Sequence, residues 1–519
     1  TALTVDGRRY PVRYKVINAN SLRIDTQDTA RIKLTVIPGP DPEDGWWYKF
    51  GQHATRIAMS VRNFSFTYKN TYAMPLPGLR PEVGDMFGQK KHGGFLAPGM
   101  DFAFGFTGDD YIDRALQNDW LICSDSVVSP ASSNALEDLQ LRISLEPIRD
   151  LKIDLTANRT RNRSREIQYM FEGMPDTRSG NFSMSIISIG SAFERPSAGD
   201  GYHSGTFERF RRNLDVIRDR VESQFLGAQY PQGSTLAGKT FDPANGTISK
   251  HSPDVMIPAF LAAYTGKSAR NSALDFFPSL FSMMPNWRIT YTGLTKIAWF
   301  KKNFRSVNLN HAYRSTYSVG SYNTFQSFMS YMGDIGFVED VQSGNPIPSS
   351  RFDISMVSIN EQFSPLIGMD ATLKNGLTAK VEYKTSRILN LSMSACQLVE
   401  TASRDFVIGL GYKIVNFNLF SGRNVKDSKN RVSHDLALRA DISFRNQSAL
   451  CRDIQQGFAQ ATNGNKALKI SCSADYTLSR LLTLRLYYDR QQNTPLVSSS
   501  SYPVVSADFG FSMKFSLTR

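Results

Sequence analysis

Apolar and polar residues alternate one by one along most of this chain, and that period of two decides what it can fold into. Near the C-terminus Val505, Ala507, Phe509, Phe511, Met513, Phe515 and Leu517 are apolar. Ser506, Asp508, Gly510, Ser512, Lys514 and Ser516 stand between them. Successive strand side chains point to opposite faces, so such a segment has one greasy face and one polar face. The pattern returns at 482–488, 468–476, 436–444, 377–383 and 139–145. Read this way, the chain holds roughly 15–17 strand segments, many of about 9–12 residues.

Length separates two all-β architectures. Strands of soluble sheets run to about 5–6 residues, whereas a tilted transmembrane strand needs about 9–11. Tight connections at Asn375-Gly376 and Ser386-Arg387 alternate with long polar ones at 447–466 and 491–503, the habit of a membrane barrel. Aromatic residues make up 12% of the chain. The expected fold is therefore a large antiparallel transmembrane β-barrel with a partly helical insertion. Phe509, Phe511, Phe515, Leu484 and Leu486 are expected to face lipid or a lipid-facing partner. Arg439, Asp441, Arg445, Lys469, Asp475, Arg485, Asp489, Asp508 and Lys514 are expected to face a wet lumen.

One region breaks the period. Phe207, Phe210, Leu214, Ile217, Val221 and Phe225 fall at spacings of 3, 4, 3, 4 and 4, one stripe of an amphipathic helix. Arg209, Arg211, Arg212, Arg218 and Arg220 cover the rest of its circumference. A short apolar piece, 255–264, follows, with Pro253 and Pro258. The chain then divides into strands and loops over 1–191, an insertion over 192–285, and strands over 286–519. Counting strands back from a periplasmic C-terminus puts the insertion at the periplasmic mouth. Arg211, Arg212, Arg218 and Arg220 would there face cargo or a partner.

Other classes fall away. The 519 residues carry a formal charge of +13, but the basic residues are dispersed and form no arm or helix that would grip nucleic acid. The stretch 255–264 is too short for a transmembrane helix, and 41% hydrophobic residues are too many for a disordered chain. Gly233-Ser234-Thr235-Leu236-Ala237-Gly238-Lys239-Thr240 fits the phosphate-loop pattern. A helix precedes it and Phe241-Asp242-Pro243 follows it, so no nucleotide is expected. Six His share no metal-ligand spacing, and His251-Ser252-Pro253-Asp254 only places triad residue types side by side. No cofactor or metal is expected. Cys123, Cys396, Cys451 and Cys472 form no metal pattern; Cys451 and Cys472 either pair or remain free thiols. The chain opens at Thr1-Ala2-Leu3 without Met or a signal-like segment, so a removed signal or a longer parent chain is expected.

Three stretches are distinctive in wording: SPDVMIPAFLAAYTGK at 252–267, PNWRITYTGL at 285–294 and HAYRSTYSVGSYNT at 311–324. In that order they resemble the SprA/Sov family, the outer-membrane translocon of the type IX secretion system in Bacteroidota, which also exports gliding-motility adhesins. The residues carrying the resemblance include Trp287, Arg288, Tyr291, His311, Tyr313, Arg314, Tyr317, Gly320, Tyr322 and Asn323. It implies a very wide single-chain barrel, of which this chain would be the C-terminal portion. Folded cargo with C-terminal signal domains would pass its pore. A lateral opening would hand cargo to a membrane-embedded shuttle barrel of the PorV kind, and a separate plug protein would seal the pore. The family supplies no catalytic residue; a conduit, not an enzyme, is expected. The alternative is another outer-membrane barrel transporter or channel. A plugged transporter would carry a compact plug before its first strand, and residues 1–50 are too few and too strand-like for one.

Overall fold

The alternation does build one sheet. The computed structural model describes residues 59–82, 84–92, 94–108, 110–122, 124, 129–168, 176–415, 417, 435–478, 481–497 and 502–515, with short pieces of the first 34. Cys123, His53, His434 and Leu517 lie outside the described residues. Two compact units emerge, Thr1–Val61 and Arg62–Arg519. The first contains the hairpin Arg13–Asn18 and Ser21–Asp25. The second contains the 14-stranded sheet.

In chain order its strands are β1 (Val61–Ala73), β2 (Ala131–Ile148), β3 (Leu151–Ile167), β4 (Asp176–Ser185), β5 (Asn286–Tyr291), β6 (Phe304–Thr324) and β7 (Phe352–Ile354). They continue as β8 (Met356–Leu373), β9 (Leu377–Ser392), β10 (Gln397–Ile414), β11 (Leu436–Asp453), β12 (Ala459–Thr477), β13 (Leu482–Pro495) and β14 (Val504–Phe515). From β14 to β8 each strand is antiparallel to its sequence neighbour; β6, β4, β3, β2 and β1 follow. Among the described residues β1 and β14 are open edges. The rim at which β14 ends is here the C-terminal rim; the opposite one is the far rim.

The strands are longer than the sequence pattern implied. β10 and β11 have 18 residues each, β12 has 19 and β6 has 21. The tight turn expected at Ser386-Arg387 is the middle of β9. The loop expected at 447–466 shrinks to the link between Asp453 and Ala459. The physical reason is the same in both places: charged residues take over the apolar positions of the pattern and are buried in ion pairs described below. Asn375-Gly376 is a turn, with Gly376 at φ +88°, where a side chain would be strained.

The centre of the sheet holds a broken strand. β4 and β5 both lie between β3 and β6, one above the other. Met184 faces Arg159 and Tyr317; Trp287 faces Leu155 and Tyr313. The chain leaves the sheet at Ile186 and re-enters at Asn286. Asn286 bridges the break: its side chain accepts from the Ser315 N–H at 2.7 Å and donates to Ser185 Oγ at 3.3 Å.

The residues between fold onto one face. Helix α1 (Tyr111–Gln117) belongs to a small cluster at the far rim with Trp120, Ala131 and Ile167. The insertion holds α2 (Gly205–Ser223) and α3 (Pro253–Tyr264). Ser204 caps α2 by accepting from the Phe207 N–H at 3.1 Å. The stripe from Phe207 to Phe225 is buried against α3 and the sheet residues Phe182, Met184, Tyr317, Val357, Ile359, Leu389 and Leu398. The link 325–351 covers the insertion in turn, with Phe337 among Phe225, Tyr230 and Phe241.

The parity count presumes a different topology. It needs an insertion that joins two strand ends, whereas this one splits a strand midway. It covers the strand halves nearer the far rim, away from the end of β14.

Candidate functional site

Register decides what each face of the sheet carries. Arg439, Asp441 and Arg445 on β11 stand opposite Ser473, Ser471 and Ala467 on β12. Asp475 faces Arg485, Lys469 faces Gln491, Asp489 faces Asp508, and Lys514 faces Thr483. All nine residues expected to face a lumen thus share one face. Opposite charges pair across it: Arg445–Asp405 at 3.0 Å, Arg485–Asp475 at 3.6 Å, and Glu382 with Lys380 and Lys384 at 3.0 and 2.8 Å. Hydroxyls and amides fill the rest, such as Ser318 with Ser358 at 2.8 Å and Asn310 with Asp370 at 3.0 Å. Arg288 and Arg314 also stand here, at a recess of about 390 Å³ with Asp154, Thr156 and Gln362.

The opposite face is apolar towards the C-terminal rim. Phe406, Leu410, Phe444, Ile442, Leu486, Phe509, Phe511 and Phe515 form a continuous exposed band, with Phe509 72% and Phe511 60% exposed. Water-soluble surfaces rarely leave so broad a greasy area bare. On β14 the apolar positions run from Val505 to Phe515, about the length that crosses a hydrocarbon core.

Towards the far rim the same face changes character. Glu361 and Arg387, 2% and 8% exposed, pair at 2.7 Å. Glu361 also accepts from Ser188 Oγ at 2.7 Å and Tyr313 Oη at 2.9 Å. Arg387 donates to the Ser191 carbonyl at 2.6 Å and to Ser191 Oγ at 2.8 Å. A second buried pair, Arg452–Glu400 at 3.1 Å, donates to the Tyr202 carbonyl at 2.6 Å and stacks over Phe207. Both pairs join sheet to insertion. Sequence reading missed all four residues: Arg387 was placed in a tight turn and Arg452 in a long polar loop, and Glu361 and Glu400 were not singled out. It also missed the row Arg159, Arg161, Arg163, Arg165 on β3; Arg165 there binds Asp113 at 3.2 Å and Asp176 at 2.9 Å.

Some of the distinctive motif residues serve this junction, Tyr313 and Tyr317 above all. Trp287 stacks on Tyr313 at 4.5 Å. Tyr317 donates to the Phe276 carbonyl at 3.1 Å, and Tyr322 to the Asn162 carbonyl at 3.2 Å. His311 Nδ1 lies 2.6 Å from the Leu366 carbonyl. Tyr291 is half-buried at the C-terminal rim, while Gly320 and Asn323 are exposed near the far end of β6.

The four arginines expected to face a partner do not act alike. Arg211 donates to the Ile454 carbonyl at 3.1 Å, and Arg220 to the Ala269 and Ser272 carbonyls at 2.6 and 2.8 Å. Arg218 pairs with Asp219 at 2.9 Å. Arg212 is exposed. Arg220→Ser should therefore cost about 1–3 kcal/mol in insertion stability, the cost of orphaned carbonyls. Arg212→Ser should cost almost nothing. Limited proteolysis of 186–285 in each variant checks the contrast.

Burial, above all, pushes the Asp254 carboxyl above its ordinary range, against hydrogen bonds from Ser350 and Ser349. A raised pKa in the fold means that ionisation opposes folding. Stability is thus highest below the ordinary carboxyl pKa and is lost as pH rises towards the folded-state value. Asp254→Asn should remove that loss and stabilise the insertion at neutral pH. A melting series against pH, showing a flatter profile for the variant, is the expected result.

Cys451 and Cys472 do not pair: Cys451 lies on the polar face and Cys472 on the apolar one, and both are free thiols, as is Cys396. The phosphate-loop match is an irregular segment closed by the Tyr230 N–H on the Lys239 carbonyl at 2.9 Å, with no strand before it and only a one-turn 3-10 helix, Pro243–Asn245, after it. No protein-family model matches the chain, and none of the curated proteins does.

Proposed function

We propose that this chain builds part of the wall of an outer-membrane conduit for folded proteins, as the resemblance to the SprA/Sov family implies. The observation that carries this reading is the division of the two faces. An apolar band of membrane height backs onto a face rich in hydroxyls, amides and charges of both signs. Such a face stays wet and offers passing protein no greasy patch to adhere to. Strands of 16–21 residues exceed the membrane, so the wall continues beyond it and there carries the insertion. The insertion covers the apolar face, outside the pore, and so does not act as a plug; this favours an open conduit over a plugged transporter. Cargo with C-terminal signal domains would meet the polar face. A shuttle barrel of the PorV kind would meet the apolar face, and a separate plug protein would close the pore.

If the C-terminal rim is periplasmic, as in bacterial barrels, the insertion stands on the extracellular half, the reverse of the sequence expectation. The test uses the full-length protein in cells, with native cysteines replaced and Arg212→Cys introduced. A membrane-impermeant thiol reagent should label it from outside intact cells, with cargo export preserved. Labelling only after the outer membrane is breached would overturn the orientation. Unchanged export from cells in which β8–β10 are deleted would overturn the conduit itself.

A further inference from the structure

The connection between β5 and β6 stands at the C-terminal rim, where the apolar band ends. Neighbouring connections there are tight, such as 149–150 and 374–376, yet this one holds the short helix α4 (Ala298–Asn303). Trp299, Phe300 and Phe304 form one aromatic cluster, with centroids 4.8, 5.7 and 5.6 Å apart. Trp299 is 61% and Ile297 51% exposed. Around them Lys301, Lys302 and Arg305 are exposed and form no ion pair among the described residues. The next connection adds a fourth cation: the Lys374 N–H donates to the Asn303 carbonyl at 3.1 Å, which sets the exposed Lys374 beside them. Lys296 is already held by Asp150. No acidic residue occurs between Asp275 and Asp334, the stretch that carries Lys301, Lys302 and Arg305.

We propose that this corner binds the phosphate groups of anionic phospholipids, with Lys301, Lys302, Arg305 and Lys374 at the headgroups and Trp299 and Ile297 at the acyl boundary. The inference rests on the membrane reading above and adds a lipid preference to it. A free phosphate would gain nothing from the exposed indole, whereas a lipid satisfies the cations and the aromatic group at once. Aromatic rings favour the interfacial layer, and each cation near an anionic membrane strengthens attachment roughly fivefold.

The experiment places the full-length protein in nanodiscs of phosphatidylcholine with a minority of phosphatidylglycerol. One lipid or the other carries brominated chains, which quench nearby tryptophan. The Trp299 signal is the difference from Trp299→Phe. Brominated phosphatidylglycerol should quench it several-fold more than brominated phosphatidylcholine at equal bromine content. Lys301→Gln with Lys302→Gln and Lys374→Gln should abolish the preference and leave ordinary quenching. Equal quenching by both lipids, or reversal of the preference by inorganic phosphate, would overturn the proposal. A Phe511→Trp variant separates the two readings. Quenching there without quenching at Trp299 sinks the lipid site alone, and quenching at neither position sinks the membrane reading with it.

Discussion

Arg387→Ala should release the insertion from the sheet. The substitution leaves the Glu361 carboxyl 2% exposed with only hydroxyl donors, and strips Ser191 of two hydrogen bonds. Removing one partner of a buried ion pair costs about 3–5 kcal/mol. Arg387→Lys should recover little, because one ammonium cannot reach both Glu361 and Ser191 in the same geometry. The double variant Glu361→Gln with Arg387→Met should recover most of the loss, since no buried charge then remains. The measurement is protease cleavage within 186–285 while β10–β14 stay protected. Equal resistance of Arg387→Ala and the native protein would show that the pair does not hold the insertion.

The second large effect lies at the other end of the strands. Phe511→Arg places a cation in the middle of the apolar band, and at a bilayer midplane that costs roughly 2–4 kcal/mol. Ser512→Arg, one residue on, projects from the polar face beside Arg485 and should be tolerated. Membrane fractionation and heat-modifiable mobility read assembly directly. If both variants assemble alike, the apolar face does not meet lipid.

The parts of the fold legible in the sequence were those where one rule acts alone. Along residues 438–444 of β11 and along β14 the apolar face is largely exposed among the described residues, so alternation is unbroken there and the sharing of faces follows from it. The helix stripe from Phe207 to Phe225 was legible for the same reason. Legibility failed where two elements share a face. Glu361, Arg387, Glu400 and Arg452 occupy positions that alternation reserves for apolar residues, and a charge there reads as a strand end. Their partners are distant in sequence: Ser188, Ser191 and Tyr202 become meaningful only once the insertion is folded over them. The basic face of α2 misled in the opposite way. Arg211 and Arg220 looked solvated, but their targets are backbone carbonyls, which leave no trace in composition. The broken strand was illegible because β5 has only 6 residues and reads as an ordinary short strand.

That broken strand sets an order in which the molecule can be made. Residues 151–156 of β3 have their β2 partners almost at once, across a two-residue turn, but on the other side they wait for Asn286–Tyr291. Closing so long a loop is entropically unfavourable while it remains unfolded. Once α2 and α3 pack, the two ends of the insertion are held close together and the remaining closure is short. Folding of the insertion is then a precondition for the central seam rather than a decoration added later. A slow step in biogenesis should appear at the middle of the sheet, and substitutions such as Leu214→Asp should retard it while hairpins near β14 form at their usual rate.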